Sequence, residues 1–295
     1  MTTPIPQGSV VVGVDRSPGS VAALNWATRY ATSHRRPLVV VAAAGDPRQA
    51  IEYFGLAEAR KMLLADAQEV ANTALDTVHE TAPDLETHAS IPFQDARTAL
   101  IEASEAASLV AVGTRGRGPV KTLLLGSVST AVAAHASSPV AVVRPGGRRT
   151  DGSTGHVVVG IDAGPSSTSA MELAFQIASV DRLPLDVVFG WPSVDTYDDW
   201  HPYDQHLETH AEHRLALSES VAGLSEKYPD VHVTRLTPDL SPVQALVEQS
   251  NGASHVLVGT RGLTGTKAVF GSVSREVLER AHCTVLVVRP TAPQS

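Results

Sequence analysis

The sequence predicts an α/β protein that consists of two tandem, doubly wound parallel sheets flanked by helices. Its 295 residues suit two domains of about 100 to 150 residues each. Short aliphatic runs alternate with longer segments of helical character, a pattern typical of parallel sheets that helices cover on both faces. Only 4% of the residues are aromatic, so the cores depend on Val, Ala, Leu and Ile, which favours buried strands.

The strongest of these observations is an internal repeat. The segment VVVGVDRSPGS around Asp15 returns as VVVGIDAGPSS around Asp162, 147 positions later. The segment that ends at Gly116 returns at Gly262, 146 positions later, and both halves close on the letters VVRP. We therefore predict two domains, residues 8–145 and 155–290, joined by an exposed linker rich in glycine and charge.

Each half contains five runs that predict strands, with helices in the intervals between them. In the first half these runs are Val10–Val14, Leu38–Ala43, Thr87–Ile91, Leu109–Gly113 and Val140–Val143. In the second half they are His156–Ile161, Leu185–Phe189, Val231–Leu236, Val256–Gly259 and Thr284–Val288. Their near-continuous apolar character predicts strands that are buried on both faces.

The starts of the first helix in each half carry their own signals. Ser17 and Pro18 combine a capping hydroxyl with a proline at the first helical position, and Pro165 offers the same start in the second half. Val21 and Leu24 fall with Thr28 on one face of the first helix, which predicts its buried side.

Charge and composition exclude several classes of function. A net charge of -8 repels a phosphate backbone, and no basic run interleaved with aromatic residues offsets it, so we expect no nucleic-acid partner. The apolar runs are strand-length, whereas a bilayer span needs roughly 20 apolar residues, so we expect no membrane association. The single Cys283 predicts a buried, inert thiol, and the absence of a signal-like start at residues 1–9 predicts a cytoplasmic protein.

A glycine loop follows the fourth strand of each half. In the first half Gly113 and Gly116 are followed, after nine intervening residues, by Gly126 and Ser127 at the start of a helix. Backbone N–H groups in such a loop and at a helix start favour an anion. Arg115, Thr114, Arg117 and Lys121 belong to the same loop, and three of these four side chains add positive charge. The alternative is that the glycines only turn the chain and that Ser127 only caps the helix.

The spacing does not match the two common phosphate motifs. A P-loop needs glycine directly before Lys121, and Val120 stands there instead. The dinucleotide fingerprint needs several glycines after the first strand, where Gly13 stands alone before Asp15. Asp15 and Asp162 instead end the first strand of each half, where a carboxylate accepts hydrogen bonds from a ribose or an adenine amino group. The alternative is an aspartate that caps the following turn.

The combination of this strand-end aspartate, the spaced glycine loop and the closing valine strand resembles the universal stress protein family, in its tandem, ATP-binding form. The resemblance covers nearly the whole chain, twice, and implies five parallel strands in the order 3-2-1-4-5 in each half. It implies that Gly13 and Asp15 lie at adenine and ribose, that Gly113 to Gly116 wrap the phosphates, and that the next helix start holds the phosphate tail. The residues that would hold the tail are Gly126, Ser127, Val128 and Ser129. The equivalents in the second half are Gly160, Asp162, Gly259, Thr260, Arg261, Gly262, Gly271, Ser272, Val273 and Ser274.

The second loop departs from the pattern. Leu263 to Phe270 counts eight residues rather than nine, and the loop keeps Arg261 and Lys267 where the first has three cations. The predicted phosphate contacts are therefore weaker in the second half, unless Gly265 allows the shorter loop to re-route without strain.

Two further clusters have a structural reading that we prefer. His206, His210 and His213 follow His201 at helical spacing, but no zinc motif fits them, so we expect a solvated or pH-responsive face. Four aromatic residues of the second half cluster in a proline- and acid-rich loop, where a domain contact is favoured over a lid on a pocket. They are Trp191, Tyr197, Trp200 and Tyr203.

The sequence as a whole predicts a stress-response protein that binds ATP, alone or with Mg²⁺, in one site per domain and acts as a sensor or regulator. It offers phosphate cradles but no evident base to position water, so no catalytic residue is predicted. The alternatives are a slow nucleotide hydrolase or adenylate-transferring enzyme, and a structural module whose second domain has lost its ligand. We also expect a homodimer, while the signalling partner is not predicted.

Overall fold

A computed structural model describes most of the chain. The described residues are 4–45, 56–114, 125–145, 155–162, 165–189, 215, 218–219, 221–238, 240–260 and 271–290. The chain divides into two compact units, Met1–Gly146 and Gly147–Ser295.

The first unit contains five parallel strands. Its elements in chain order are β1 (Ser9–Gly13), α1 (Pro18–Ser33), β2 (Leu38–Val41), α2 (Leu56–Thr81), β3 (Thr87–Ser90), α3 (Ala96–Ala103), β4 (Ala107–Gly113), α4 (Ser127–His135) and β5 (Val140–Val143). The strand order is β3-β2-β1-β4-β5. The order therefore reverses between β1 and β4, which leaves a crevice at their carboxyl ends.

The second unit repeats this arrangement. Its elements are β6 (Val157–Ile161), α5 (Pro165–Asp181), β7 (Leu185–Phe189), β8 (Val233–Leu236), α6 (Pro242–Gln249), β9 (His255–Gly259), α7 (Ser272–Arg280) and β10 (Thr284–Val288). Residues 221–227 are also helical. The strand order is β8-β7-β6-β9-β10, so the reversal falls between β6 and β9.

The predicted α/β class with parallel strands is confirmed in both units. Val10, Val11 and Val12 of β1 are fully buried, as are Val157 and Val158 of β6. Burial on both faces of a strand follows from continuous aliphatic runs, because alternate side chains point to opposite faces of the sheet. The strands at the sheet centre thus hold the site residues that follow them in fixed positions.

Helix α1 begins as the sequence predicts, but its buried face is different. The Ser17 hydroxyl accepts a hydrogen bond from the Ser20 N–H at 3.1 Å, and Pro18 is the first helical residue. Leu24 and Thr28 are buried, whereas Val21 is 47% exposed, so the prediction is wrong for Val21. The buried stripe of α1 is centred on small residues such as Ala27, and Val21 lies at its border, in the first turn.

A buried serine closes the end of a helix in each unit. The Ser104 hydroxyl, after α3, accepts from the Ser137 N–H at 2.7 Å and donates to the Ile101 carbonyl. Ser250, after α6, accepts from the His282 N–H at 2.9 Å in the same way. Both serines are at most 1% exposed, so each hydroxyl supplies a partner to backbone groups that water does not reach.

Within the part of the chain that the structure describes, no helix combines the length and the apolar character that a bilayer span requires.

Candidate functional site

An open cleft of about 570 Å³ lies at the carboxyl ends of β1, β2 and β4 in the first unit. Its apolar lining comes from small and branched side chains, and its polar lining comes from an aspartate and three serines. The lining residues are Gly13, Val14, Asp15, Ser17, Ser20, Val41, Ala43, Ala96, Leu100, Val112, Gly113, Val128 and Ser129. The cleft sits at the crossover of the strand order, where doubly wound folds place their ligands.

Gly113 closes one side of this cleft by direct contact with the first turn of α1. A Cβ atom at Gly113 would lie 2.4 Å from the carbonyl carbon of Gly19 and 2.5 Å from its oxygen. Real Cβ atoms do not approach backbone so closely, so position 113 requires glycine for packing. The glycine thus has a structural role, and it also leaves the end of β4 without a side chain.

The start of α4 is tied to the end of β4 by two hydrogen bonds. The Gly126 N–H donates to the Thr114 carbonyl at 2.7 Å, and the buried Ser129 hydroxyl donates to the Gly113 carbonyl at 2.6 Å. The first intrahelical bond runs from the Thr130 N–H to the Gly126 carbonyl, and Gly126 caps α4 without a side chain. The first-turn N–H groups therefore have no partner within the helix, which suits an anion.

Ser127 and Ser129 thus differ in what they offer. Ser127 is exposed at the first helical position, and the alternative that it caps α4 is wrong, because Gly126 occupies the cap. Ser129 is 3% exposed, and its hydroxyl proton is directed to the Gly113 carbonyl. Only its backbone N–H and hydroxyl lone pairs stay available to a bound group.

Asp15 sits in the turn between β1 and α1, half-buried at the cleft. One of its carboxylate oxygens accepts from the Ser17 N–H at 3.0 Å, and its own N–H donates to the Ser20 hydroxyl at 3.2 Å. Ser20 in turn donates to the Ser17 carbonyl at 3.0 Å. The turn-capping alternative therefore describes part of what Asp15 does, since this bond engages one carboxylate oxygen.

Another carboxylate, Asp95, begins α3 beside the cleft residue Ala96. It accepts from the Arg97 N–H at 2.9 Å and from the Thr98 hydroxyl at 2.6 Å. The Thr98 hydrogen bond, followed by those from Arg97, lowers the pKa of Asp95 to about 2. This helix cap therefore carries its negative charge throughout the neutral range.

The second unit builds the same frame around Asp162. The Ser274 hydroxyl donates to the Gly259 carbonyl at 3.1 Å, and Gly271 caps α7 as Gly126 caps α4. A Cβ atom at Gly160 would lie 2.7 Å from Leu246 Cδ1, just as one at Gly13 would meet Leu100. Asp162 is exposed, and it accepts from the Ser167 hydroxyl at 2.5 Å.

The structure describes some of the remaining predicted site residues and does not describe the others. Thr114 and Thr260 are buried and donate their N–H groups to Val143 and Val288. Ser272 is exposed and Val128 and Val273 are half-buried on the first turns of their helices. Outside the described residues lie Arg115, Gly116, Arg117, Lys121, Arg261, Gly262 and the loop Leu263 to Phe270, with the four predicted histidines at 201, 206, 210 and 213 and the aromatic residues at 191, 197, 200 and 203.

The structure adds residues that the sequence reasoning missed. Ser20 and Ser167 each accept from the N–H of the strand-end aspartate, and Leu100 and Leu246 cover the glycine before it. Ser20 and Ser167 recur at the repeat distance of 147, so the repeat itself carried the signal. Among the described residues, no group of three His, Cys, Asp or Glu side chains comes together as metal ligands.

Fold and site together define a class: a doubly wound α/β protein in which the same frame of strand-end aspartate and glycine-capped helix occurs twice. Comparison with known proteins identifies that class. The model of the universal stress protein family matches residues 8–144 and 154–289. This chain belongs to the universal stress protein family, in a tandem arrangement.

Relatives of the same length support this assignment. A universal stress protein of Mycolicibacterium smegmatis is 35% identical over 291 residues, which cover 95% of this chain and 97% of the relative. Universal stress protein Rv2005c of Mycobacterium tuberculosis is 33% identical, with 98% and 99% covered. The crystal structure of a universal stress protein from Archaeoglobus fulgidus has a TM-score of 0.70 at 20% identity, over 96% and 98% of the two chains, and shows the shared fold.

Proposed function

We propose that this universal stress protein binds ATP in each of its repeats, residues 8–145 and 155–290, and acts as a nucleotide-occupied sensor or regulator in a stress response. The observation that carries the proposal is one cleft lined by both the Asp15 carboxylate and the first turn of α4. A carboxylate selects hydroxyl or amino groups, and a helix N-terminus selects an anion. A nucleotide presents both kinds of group on one molecule.

The lining of the cleft fits such a ligand. Val14, Val41 and Ala43 offer an apolar surface to a planar base, while Ser17 and Ser20 keep hydroxyl oxygens at the same edge. The donor set contains no cluster of metal ligands among the described residues, so Mg²⁺ in the proposal would be held by the phosphates.

In the proposed arrangement the chain's own residues bind and orient the nucleotide. Gly13 and Asp15 face adenine and ribose, the loop from Gly113 to Gly116 surrounds the phosphates, and the first turn of α4 takes the phosphate tail. The positively charged residues Arg115, Arg117 and Lys121, known from the sequence, would balance the phosphate charge. In the second repeat the same roles fall to Gly160, Asp162, Gly259 to Gly262 and Gly271 to Ser274.

Regulation rather than turnover is the proposed role because phosphoryl transfer needs a group that positions water or the acceptor. In the described part of the first cleft, the one carboxylate is Asp15, and it is already engaged in the turn before α1.

The proposal also includes a homodimer located in the cytoplasm, and light scattering of the purified protein tests the dimer.

Titration of the full chain with ATP tests the proposal. Calorimetry of the wild type is expected to show two bound nucleotides. Asp15→Ala is expected to weaken the first site by about 10- to 150-fold, the value of one charge-assisted hydrogen bond. Asp162→Ala does the same for the second site, and Asp76→Ala, an exposed carboxylate on α2, is the matched control with unchanged affinity.

Two results would contradict the proposal. Absence of ATP binding by the wild type rejects nucleotide binding. ATP turnover above about 1 per second, the low end of usual enzyme rates, rejects the regulatory role in favour of a hydrolase.

A further inference from the structure

Arg16 separates two cleft residues, Asp15 and Ser17, and its backbone is left-handed with φ of 63°. Few residues other than glycine adopt this conformation, which persists when the surroundings hold it. The surroundings here are two carboxylates on α2. The Arg16 guanidinium lies 2.5 Å from Asp66 Oδ1 and 3.3 Å from Glu69 Oε2. The Asp66 hydrogen bond raises the pKa of Arg16, so the guanidinium keeps its positive charge.

The residue on the other side of Asp15 also contacts α2. Val14 packs against the apolar cluster that includes Ala67, Val70 and Ala71 of that helix. Residues 66–71 of α2 therefore hold both chain neighbours of Asp15, one by charge and one by apolar packing. Asp15 therefore lies between an apolar and a charged contact with the same helix, in addition to its own hydrogen bonds with Ser20 and Ser17.

We propose that Arg16, with Asp66 and Glu69, forms a clamp that positions the Asp15 turn for the ligand of the first cleft. Arg16 is a positioning residue in this inference, which rests on the proposed nucleotide function. The clamp couples α2 to the cleft, so that displacement of α2 lowers ligand affinity and ligand binding holds α2 in place. The fold therefore contains a mechanical link between the first site and the outer face of α2.

The second repeat supplies an internal comparison. The residue that corresponds to Arg16 in the sequence is Ala163, 147 positions later, and alanine has no side chain that reaches a carboxylate. The clamp is thus a property of the first repeat. We expect added salt to weaken its ion pairs and so to lower the ligand affinity of the first site, an effect that the second site lacks.

Titrations of the full chain test the clamp. All variants carry Asp162→Ala, so that the first site is measured. The double variant Asp66→Asn/Glu69→Gln is expected to bind ATP about two- to fivefold more weakly, since a coupled equilibrium shifts by no more than the strength of the exposed ion pair. Arg16→Ala gives the same loss and Arg16→Lys restores part of it. Asp76→Asn/Glu80→Gln makes the same charge change near the other end of α2 and leaves affinity unchanged.

Adenosine separates the clamp from direct phosphate electrostatics, because it carries no charge. The affinity difference between the parent chain and Asp66→Asn/Glu69→Gln is expected to vanish in about 1 M NaCl, where screening acts over about 3 Å. A purely structural defect would keep its difference in salt. A double-mutant cycle that combines Asp66→Asn/Glu69→Gln with Asp15→Asn gives a second test. Loss of the clamp is expected to lower ligand affinity by less when the Asp15 carboxylate has already been removed.

Each outcome decides the inference. Equal affinity in the parent chain and the clamp variants, additive losses with Asp15→Asn, or a difference that persists in salt would overturn the clamp and leave nucleotide binding intact. A parent chain that binds neither ATP nor adenosine rejects the proposed function and the clamp together.

Discussion

The two repeats place the same serine beside the same aspartate, and its hydroxyl donates to a neighbouring oxygen in both. In the first repeat the Ser20 hydroxyl donates to the Ser17 carbonyl, and the Asp15 carboxylate accepts from a backbone N–H. In the second repeat the Ser167 hydroxyl donates to the Asp162 carboxylate itself at 2.5 Å. Any group that approaches the Asp162 carboxylate therefore competes with this internal hydrogen bond, just as one that approaches Asp15 competes with the bond from the Ser17 N–H.

The frame around the aspartates, in contrast, is the same in both repeats. The serine of each glycine-capped helix donates to the last residue of the preceding strand, at 2.6 Å for Ser129 and 3.1 Å for Ser274. Buried Ser104 and Ser250 close equivalent helix ends. The duplication thus keeps this backbone frame, while the residue after the aspartate differs, since Arg16 stands in the first repeat and Ala163 in the second.

The shared frame predicts the largest effect. Gly113→Ala is expected to destabilise the first unit by about 3 kcal/mol, because its Cβ would collide with backbone of α1 that no rotamer change can move. Gly259→Ala is expected to cost as much if the frames are equivalent. Urea denaturation followed by circular dichroism measures both.

Gly223→Ala is the matched control for these variants, since a Cβ at that helical position meets nothing within 4 Å. It is expected to leave stability unchanged or to raise it slightly. A loss for Gly113→Ala no greater than that of the control would show that the close approach to Gly19 is not a constraint.

The difference between the two glycine loops predicts an intermediate effect. The first site is expected to bind ATP about 10- to 150-fold more tightly than the second, if the missing loop cation costs one charge-assisted hydrogen bond. Calorimetry of full-length Asp162→Ala and Asp15→Ala, at one salt concentration, reports the two sites in turn. Equal dissociation constants, or a tighter second site, would refute the asymmetry.

A third difference lies at the helix caps and predicts the smallest effect. Asp95 caps α3, while Ser241 caps α6 in the second repeat. The pKa of Asp95 is lowered from 3.8 to about 2, so its stabilising effect is complete above the unfolded value and is lost as pH falls through the folded value. Asp95→Ala is expected to cost about 1 kcal/mol at pH 7 and progressively less between about pH 4 and pH 2.

Chemical denaturation of Asp95→Ala and Ser241→Ala over that pH range checks the sign. The cost of Ser241→Ala is expected to stay constant, because a hydroxyl cap does not titrate there. A pH-independent cost for Asp95→Ala would mean that the Thr98 and Arg97 hydrogen bonds do not depend on its charge.

The strands could be predicted from the sequence because burial on both faces requires continuous aliphatic runs. The predicted Val140–Val143, Leu185–Phe189 and Thr284–Val288 coincide with observed strands, and the others agree within two residues. The start of β4 at Ala107 was missed because Ala107 and Ser108 lack the apolar character of the residues that follow. Strand ends of this kind depend on partner strands rather than on local composition.

The site was predicted less completely, for a physical reason. The chain pattern identified Gly113 and Ser129 as candidates, yet the contact of Gly113 with Gly19 and the bond from Ser129 to a carbonyl depend on how α1 and α4 pack. The ion pairs of Arg16 join residues 50 or more positions apart on two elements. Such contacts leave no periodic signal, and only the repeat distance could have pointed to Ser20 and Ser167.

The backbone contact between Gly19 and Gly113 bears on selectivity. Backbone atoms have no side-chain rotamers, so this part of the cleft presents the same shape and the same amide dipoles to every ligand. Compounds that share a phosphate-bearing end are therefore expected to contact this backbone in the same way, whatever base they carry. If a nucleotide binds as proposed, we expect selection between bases to come from the apolar side chains that line the cleft, and Val41, Ala43 and Leu100 are positions where exchange of one aliphatic residue for another would change the preferred ligand.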